Sequence, residues 1–359
     1  MRITIVGGGN IGTQFAVHCA ESGHKVTVFT STPELFDLHL EIVDEHGVIT
    51  HEGTILGATD DAEIAFRHAE LILVTVPANG MEAAAQSVYA HSDKKAVIGV
   101  VPGNGGSECA FRRCIERGNV FFNIERVPAI ARLIQKGKTV RSTGYRSELR
   151  VAALPGREAA RCADLISGIF HIPAKTVPCL LNLTLTPSNP ILHTSRLFCL
   201  FQDWREGRTY PAVPLFYEDW DDASSELLLR MDEETQRVCR ALPELDLTHV
   251  ISLKKHYQAK TAEAMSRKIR SIPAFHGLRA PILTVDGGLV PDLHSRYFTA
   301  DFSFGLHIFQ QVAQFAEVPT PCMDRVMNWY RKIAVVKKEF SFQAYGITDR
   351  GSLARFYLT

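Results

Sequence analysis

The chain has 359 residues, of which 46% are hydrophobic and 22% charged, ordinary values for a folded protein with a substantial core. Lysine plus arginine and aspartate plus glutamate both total 39, and this neutrality argues against an attraction to nucleic acid or anionic lipid. The eight cysteines form no C-x-x-C pair, which argues against structural zinc and a disulfide framework, so no metal site is expected.

The first residues, MRITIVGGG, enter an apolar strand at once, without the charged start and longer apolar segment of a signal peptide. No apolar run approaches the length of a membrane span. The scattered cysteines are typical of reduced thiols. We therefore expect a cytoplasmic protein with no membrane partner.

The first element is a β-branched strand at residues 3–6, followed by a G-x-G-x-x-G turn and a helical segment that stops at Gly23. In this strand, turn and helix arrangement the glycines allow a tight turn, a close backbone approach to a pyrophosphate, and close packing of helix and strand. The helix N-terminus then offers its amides to the anion. The predicted dinucleotide-binding residues of this turn are Gly7, Gly9, Asn10, Ile11 and Gly12.

A second strand is predicted at residues 25–29, and its end usually indicates which nicotinamide cofactor binds. An acidic residue there would accept the ribose 2′-hydroxyl and repel a 2′-phosphate. Here the residues are Thr30, Ser31 and Thr32, three hydroxyls without a carboxylate. The sequence therefore favours NADP(H) over NAD(H), with Thr30 and Ser31 near the phosphate.

Two continuous apolar runs, at residues 71–77 and 96–106, are typical of parallel strands buried on both faces. Ligands of open α/β sheets bind beyond the carboxyl ends of such strands. Pro77 and Asn104, which follow these two runs, are therefore predicted to border the cofactor, although simple turn chemistry also accounts for them.

Strands predicted at residues 140–154, a helix at 157–169 and a final strand in HIPAKTVP complete a doubly wound, mainly parallel α/β Rossmann domain over residues 1–178. Long amphipathic segments then follow at 218–242, 253–271 and 304–317. These predict a helical, all-α second domain over residues 179–359.

Two polar groups in the second half are candidate site residues. Pro190 suits a first helical turn, so Ser188 or Asn189 could cap a helix on which Asn189 and His193 lie one turn apart. About a hundred residues later, Arg296 precedes Asp301 by five positions. Taken singly, His193 is best explained by packing, Asp301 by helix capping and Arg296 by a surface position.

The combination of G-x-G-x-x-G, PGNGG after a central strand, SNPILH, and RYFTADFSFGL followed by AEVPTP resembles the octopine/nopaline (opine) dehydrogenases. The resemblance spans nearly the whole chain. It implies a Rossmann domain with a helical domain of the 6-phosphogluconate dehydrogenase-like type. It also implies an NAD(P)-dependent dehydrogenase that acts on CH–NH bonds, condensing an amino acid with a 2-oxo acid such as pyruvate.

The resemblance assigns roles to particular residues. It implies that His193 is catalytic and that Asp301 orients and charges it. Arg296 and Asn189 are implied to bind substrate, and the segment NIERVPAIARL adds Arg132 as a weaker substrate-binding candidate. We therefore expect Asp301 to lie within hydrogen-bond reach of His193.

The chemistry supports these residue types independently of the family. The cofactor supplies the hydride. The protein must therefore bind the two substrate carboxylates, hold the C=N carbon against the nicotinamide and transfer protons. A histidine titrates near neutrality and suits the proton transfers. An aspartate on its far nitrogen fixes the tautomer, and arginine is a bidentate partner for a carboxylate.

Two other functions remain open from the sequence. A reductase of the ketopantoate or 3-hydroxyacid type shares the two-domain plan but usually relies on a lysine at the start of the helical domain, where CLLNLTLTPSNPILH has none. A nucleotide-sensing protein without catalysis is the second alternative. The sequence does not identify the amino acid, the oxo acid, the product stereochemistry or the assembly, for which a homodimer is one expectation.

Overall fold

The computed structural model describes residues 1–186 and 188–358, apart from the side chain of Ala274. The chain divides into two compact units. The N-terminal unit comprises Met1–Thr184 with Arg355–Thr359, and the helical unit comprises Leu185–Ala354. Within the described residues, no helix combines the length and apolar character needed to cross a lipid bilayer.

The N-terminal unit is an α/β structure. Its strands are β1 (Arg2–Val6), β2 (Lys25–Phe29), β3 (His39–Val43), β4 (Ile49–Thr54), β5 (Gly57–Thr59), β6 (Leu71–Val74), β7 (Val97–Val100), β8 (Phe121–Ile124), β9 (Ile130–Gln135), β10 (Thr139–Thr143), β11 (Leu149–Leu154) and β12 (Ala174–Thr176). Its helices are α1 (Asn10–Glu21), α2 (Ala62–Phe66), α3 (Met81–His91), α4 (Ser107–Ala110), α5 (Arg112–Arg117) and α6 (Ala159–Phe170), and α7 (Leu180–Leu185) follows across the point of division.

The main sheet has the order β12-β11-β8-β7-β6-β1-β2-β5. All its neighbouring strands are parallel except β8 and β11, which run antiparallel. Strands β6 and β7 are buried along their whole length, as expected of parallel strands covered on both faces. The predicted doubly wound, mainly parallel sheet is confirmed.

A second sheet, of order β4-β3-β10-β9, was not predicted from the sequence. Its strands are short and partly exposed, and β4 has the mixed burial pattern of a strand with little apolar alternation. This sheet packs against α1, and the close approach is possible because Gly53 has no side chain. A Cβ atom at Gly53 would lie 2.7 Å from the Ala20 Cβ atom.

The helical unit is built mainly from helices, as predicted, and also carries a short antiparallel hairpin. The helices are α8 (Asn189–Phe201), α9 (Asp222–Ala241), α10 (Leu253–His256), α11 (Ala262–Arg270), α12 (Arg296–Thr299), α13 (His307–Phe315) and α14 (Pro321–Ile333), with α15 (Arg350–Tyr357) leading back to the N-terminal unit. The hairpin strands are β13 (Ile282–Val285) and β14 (Gly288–Pro291).

Local capping explains where the helices differ from the predicted segments. Helix α9 begins four residues later than predicted because Asp221 caps it, accepting a hydrogen bond of 2.7 Å from the Ser224 amide. The predicted helix 253–271 is two helices. Gln258 has a φ of +53°, which breaks the helix, and Thr261 then caps α11 through the Ala264 amide.

Candidate functional site

The turn between β1 and α1 requires glycine at two positions. Gly7 has a φ of +107°, a conformation that favours glycine. At Gly12, a Cβ atom would lie 1.7 Å from the Gly7 carbonyl oxygen, so only glycine lets the helix lie against the turn. These are the roles that the sequence motif predicts for its first and third glycines.

The middle glycine of the motif, Gly9, has open space where a side chain would lie. A Cβ atom added to Gly9 meets no described atom within 4 Å. Gly9 is also the N-cap of α1, and no side chain of the described residues caps this helix. The first-turn amides and the open approach at Gly9 fit a dinucleotide pyrophosphate.

One of the predicted residues of this turn is linked to β9 by a hydrogen bond. The Asn10 Oδ1 atom accepts a hydrogen bond of 2.8 Å from the amide of Leu133. The side chain of Asn10 therefore anchors β9 to the start of α1. Arg132, the neighbour of Leu133 on β9, is exposed.

The other predicted cofactor residues lie at the carboxyl ends of the parallel strands. Thr30 is buried after β2, where its amide donates to the Thr59 carbonyl at 3.0 Å, and Ser31 is exposed. Pro77 is exposed after β6, and Asn104 is half-buried after β7. The main sheet therefore brings these four residues to one edge together with the glycine turn.

The predicted pair His193 and Asp301 is formed within the helical unit. The two side chains join at 2.8 Å between His193 Nδ1 and Asp301 Oδ2. His193 is buried on α8, and Asp301 immediately precedes a π-helical turn at Phe302–Leu306. The carboxylate makes no capping hydrogen bond there, so capping does not explain Asp301.

The other ring nitrogen of His193 contacts a residue that was not predicted. The Nε2 atom lies 2.7 Å from the hydroxyl oxygen of Tyr217. Because an ionised carboxylate can only accept, Nδ1 donates to Asp301 and the neutral ring leaves Nε2 as an acceptor for the Tyr217 hydroxyl. Burial raises the pKa of Tyr217 well above its usual value, so this hydroxyl keeps its proton and can donate it to Nε2.

Aromatic rings enclose the imidazole of His193. The ring centroid of Tyr297 is 4.6 Å away and that of Phe216 is 5.6 Å away. Tyr217 in turn stacks on Phe275 at 4.1 Å. Such walls strengthen the hydrogen bonds of the histidine by keeping the local dielectric low.

Tyr217 is positioned by a buried arginine one turn along α8 from the histidine. The Arg196 guanidinium donates to the carbonyls of Phe216 and Asp219 at 3.0 and 2.6 Å, and pairs with Asp221 at 2.8 Å. The loop before α9 is therefore tied to the helix that carries His193. The sequence offered only a weak signal for this contact, the aromatic cluster around residues 209–220.

The two predicted substrate-binding residues of this unit are both exposed. Arg296 begins α12, next to Tyr297, whose ring contacts the histidine. Asn189 is the first residue of α8 and is exposed, whereas His193 is buried. Ser188 occupies the cap position without a side-chain capping bond, so the predicted capping by Ser188 or Asn189 is wrong.

Comparisons with known proteins agree with these features. The family model described as NAD/NADP octopine/nopaline dehydrogenase, alpha-helical domain, matches residues 176–334. The model described as NAD-dependent glycerol-3-phosphate dehydrogenase N-terminus matches residues 2–103. Both matches agree with the predicted fold.

Relatives extend the similarity over most of the chain. Octopine dehydrogenase of Pecten maximus is 26% identical, covering 92% of this chain and 89% of that protein. Tauropine dehydrogenase of Arabella iricolor is 26% identical, covering 77% and 74%. A solved structure of octopine dehydrogenase with NADH and pyruvate has a TM-score of 0.84 and 25% identity, covering 98% of this chain and 97% of that one. The chain is therefore similar over most of its length to the octopine/nopaline (opine) dehydrogenases.

Proposed function

We propose that this protein is an opine dehydrogenase. It joins the amine of an amino acid to the carbonyl of a 2-oxo acid and reduces the resulting imine to a secondary amine. The observation that carries the proposal is the His193–Asp301 pair at 2.8 Å, in a chain that also has the dinucleotide turn.

A bound nicotinamide dinucleotide supplies the hydride for this reaction. The residues around the β1–α1 turn hold its pyrophosphate through backbone amides, with Gly9 leaving room for the close approach. Thr30 and Ser31 bind the adenosine ribose, and Pro77 and Asn104 lie along the remainder of the cofactor.

His193 transfers protons to and from the substrate in this reaction. The neutral ring takes a proton at Nε2 as the amine adds to the carbonyl, and the imidazolium then gives this proton to the departing hydroxyl of the carbinolamine, which leaves as water. The Tyr217 hydroxyl relays the proton between Nε2 and the substrate in both steps. Asp301 keeps the proton of the neutral ring on Nδ1 and stabilises the imidazolium that forms.

The substrates of this reaction carry carboxylates, and three predicted residues suit them. Arg296 is exposed and presents a planar guanidinium, which binds a carboxylate through two hydrogen bonds. Asn189 offers an amide that can donate to a carboxylate or a carbonyl. Arg132 is a second exposed guanidinium and is the weaker candidate.

We propose that NADPH is the preferred cofactor. The end of β2 carries hydroxyls and no carboxylate, and the hydroxyl of Thr32 is buried without a partner among the described residues. The β9–β10 turn also carries Lys138, whose Nζ atom lies 3.5 Å from the carboxylate of Asp37, five residues after Thr32. The octopine dehydrogenase structure contains NADH, so both cofactors belong in the assay.

The test is a grid of amino acids against 2-oxo acids, with consumption of NADPH and NADH followed in parallel. Pyruvate and 2-oxoglutarate are the first oxo acids, and arginine and taurine are among the amines. At least one pair is expected to consume the cofactor and to give a secondary amine detectable by mass spectrometry. Reduction of an oxo acid without any amine would instead indicate a hydroxyacid-type reductase.

The remaining expectations concern partners and compartment. The proposed partners are an amino acid and a 2-oxo acid, with no nucleic acid or membrane surface involved. The proposed compartment is the cytosol, and the proposed assembly is a homodimer. Size-exclusion chromatography with light scattering tests the assembly directly.

A further inference from the structure

A cluster of two histidines and a glutamate lies at the far end of α1 from the cofactor turn. His18 and Glu21 are three residues apart on α1, so both side chains point the same way. His51 reaches them from β4. One ligand atom from each of these residues lies within 4.8 Å of the others.

The distances between the ligand atoms of the cluster lie on either side of the spacing found in a zinc site. The Glu21 Oε2 atom is 2.8 Å from His51 Nδ1 and 3.9 Å from His18 Nδ1. Bonds of 2.0–2.2 Å to a tetrahedral zinc ion place neighbouring ligand atoms about 3.4 Å apart. Small rotations of these side chains are sufficient to reach that spacing.

A neighbouring tyrosine orients the buried histidine. The Tyr145 hydroxyl oxygen lies 3.1 Å from His18 Nε2, which leaves Nδ1 facing Glu21. Metal-ligating histidines are almost always held in this way, with the other ring nitrogen on an oxygen atom. Phe170 packs against the ring of His18 at 5.2 Å, so its orientation is also fixed by packing.

The backbone around the cluster is fixed by a close contact. A Cβ atom at Gly53 would lie 2.9 Å from the Val17 carbonyl oxygen, so β4 lies directly on α1 two residues from His51. The cluster is also open to solvent on one side. The side chain of His18 is 4% exposed, whereas those of His51 and Glu21 are 33% and 40% exposed.

We propose that His18, Glu21 and His51 bind a zinc ion, with water as the fourth ligand, and that the ion clamps the small sheet to α1. Two imidazoles and a carboxylate suit zinc and other divalent first-row transition ions, and they do not suit the oxygen-seeking magnesium and calcium. The site lies at the end of α1 opposite the glycine turn, so its function is to stabilise the unit. It does not depend on the proposed reaction.

The test uses the full chain without a polyhistidine tag, stripped of metal by a chelator. Zinc is then titrated in competition with a chromogenic chelator, and the melting temperature Tm is measured with and without zinc. The variants are His51→Ala and Glu21→Gln. Both change half-exposed side chains, so the fold is retained.

A matched control is His39→Ala. His39 is also a strand histidine of the small sheet, and its Nε2 lies 3.2 Å from the carboxylate of Glu52. Zinc bound by cysteine thiols would be equal in all of these proteins, because the eight cysteines are unchanged.

The wild-type protein and His39→Ala are expected to bind one zinc ion per chain and to gain in Tm. His51→Ala and Glu21→Gln are expected to bind it at least about tenfold more weakly, without the gain in Tm. Cobalt in place of zinc should give the intense visible bands of a tetrahedral site in the first pair only. Equal zinc affinity in all four proteins, or no binding by the wild type, would overturn the proposal.

Discussion

The imidazole of His193 in the helical unit is held at both of its nitrogens. The carboxylate of Asp301 is on Nδ1 and the hydroxyl of Tyr217 on Nε2, at 2.8 and 2.7 Å. A carboxylate on Nδ1 and a hydroxyl on Nε2 fix the tautomer of the neutral ring, which leaves Nε2 as the nitrogen that can accept a proton.

The first residue-scale prediction concerns His193→Ala. We expect turnover to fall by about a hundred to ten thousandfold, since general acid–base help is lost. The dissociation constant of the dinucleotide should change little, because the glycine turn lies in the N-terminal unit. Steady-state kinetics and a fluorescence titration measure the two effects.

A suitable control for this variant is His256→Ala, which removes an exposed histidine of the same unit. It should retain wild-type turnover. Equal activity in His193→Ala and the wild type would show that another group transfers the proton.

The second residue-scale prediction concerns Tyr217→Phe, which removes one hydroxyl and keeps the ring that stacks on Phe275. If the hydroxyl relays the proton, kcat falls by about a hundredfold while KM changes little. Steady-state kinetics with the best substrate pair separates the two constants. An unchanged kcat would mean that Tyr217 turns away and that Nε2 meets the substrate directly.

At the scale of elements, the strand–turn–helix at the start of the chain and the π-helical turn before α13 set the positions of the reactive groups. The first is a pattern with a fixed spacing of glycines. The π-helical turn has no comparable sequence pattern. It is defined by a backbone hydrogen bond of 2.8 Å from the Leu306 amide to the Asp301 carbonyl, which is visible only in the folded segment.

The prediction at this scale compares two glycines of one turn. Gly9→Ala should leave the Tm unchanged, because no described atom lies within 4 Å of the new Cβ, and should weaken dinucleotide binding by at least about tenfold. Gly12→Ala should lower the Tm as well, because its Cβ would collide with the Gly7 carbonyl oxygen. Thermal melts and cofactor titrations distinguish the two variants.

Gly168→Ala is the control for both glycine variants, since its Cβ also meets no described atom within 4 Å and it lies on α6. It should bind the dinucleotide as the wild type does. If Gly9→Ala bound equally well, the pyrophosphate would not approach the turn at that residue.

The sequence was sufficient for elements that have a strong local signal. The buried strands β6 and β7, the glycine turn and α6 follow from apolar runs and glycine spacing. The small sheet could not be predicted, because β4 has little apolar alternation and is held in place by its contact with α1.

The candidate site likewise contains residues that the sequence predicted and one that it did not. The resemblance to a family identified His193 and Asp301, and the structure confirms their hydrogen bond. Tyr217 was missed because it lies in a loop whose position depends on Arg196, a tertiary contact that leaves no periodic pattern. The catalytic roles of His193 and Asp301 stay predictions, as do the substrate-binding roles of Arg296, Asn189 and Arg132.

At the scale of the whole molecule, stability depends on a buried carboxylate in α9. Asp232 is 3% exposed and accepts a hydrogen bond of 2.9 Å from the Leu253 amide. Burial raises its pKa from 3.8 to about 6. The folded state therefore binds this proton more tightly than the unfolded state, so the contribution of Asp232 to the free energy of unfolding is greatest below pH 4 and is lost as the pH rises through 6.

Asp232→Asn should accordingly raise the Tm at pH 7, because the amide needs no proton and its oxygen still accepts from Leu253. The gain in the free energy of unfolding is up to about 3 kcal/mol. Thermal melts at pH 7 and pH 4 test this, and the gain should vanish at the lower pH. Glu226→Gln, on an exposed carboxylate of the same helix, should show no such pH dependence.

The π-helical turn at Phe302–Leu306 has a further consequence for how the direction of the Asp301 carboxylate is encoded. A π-helical turn holds one residue more than an α-helical turn, and each residue of a helix accounts for a rotation of about 100°. Deleting any one residue of the turn would restore the α-helix and swing Asp301 away from His193, even though every functional side chain remained. Whether the Asp301 carboxylate reaches His193 therefore depends on the number of residues in the turn. Substitutions alone would not reveal this dependence, because they leave the number of residues unchanged.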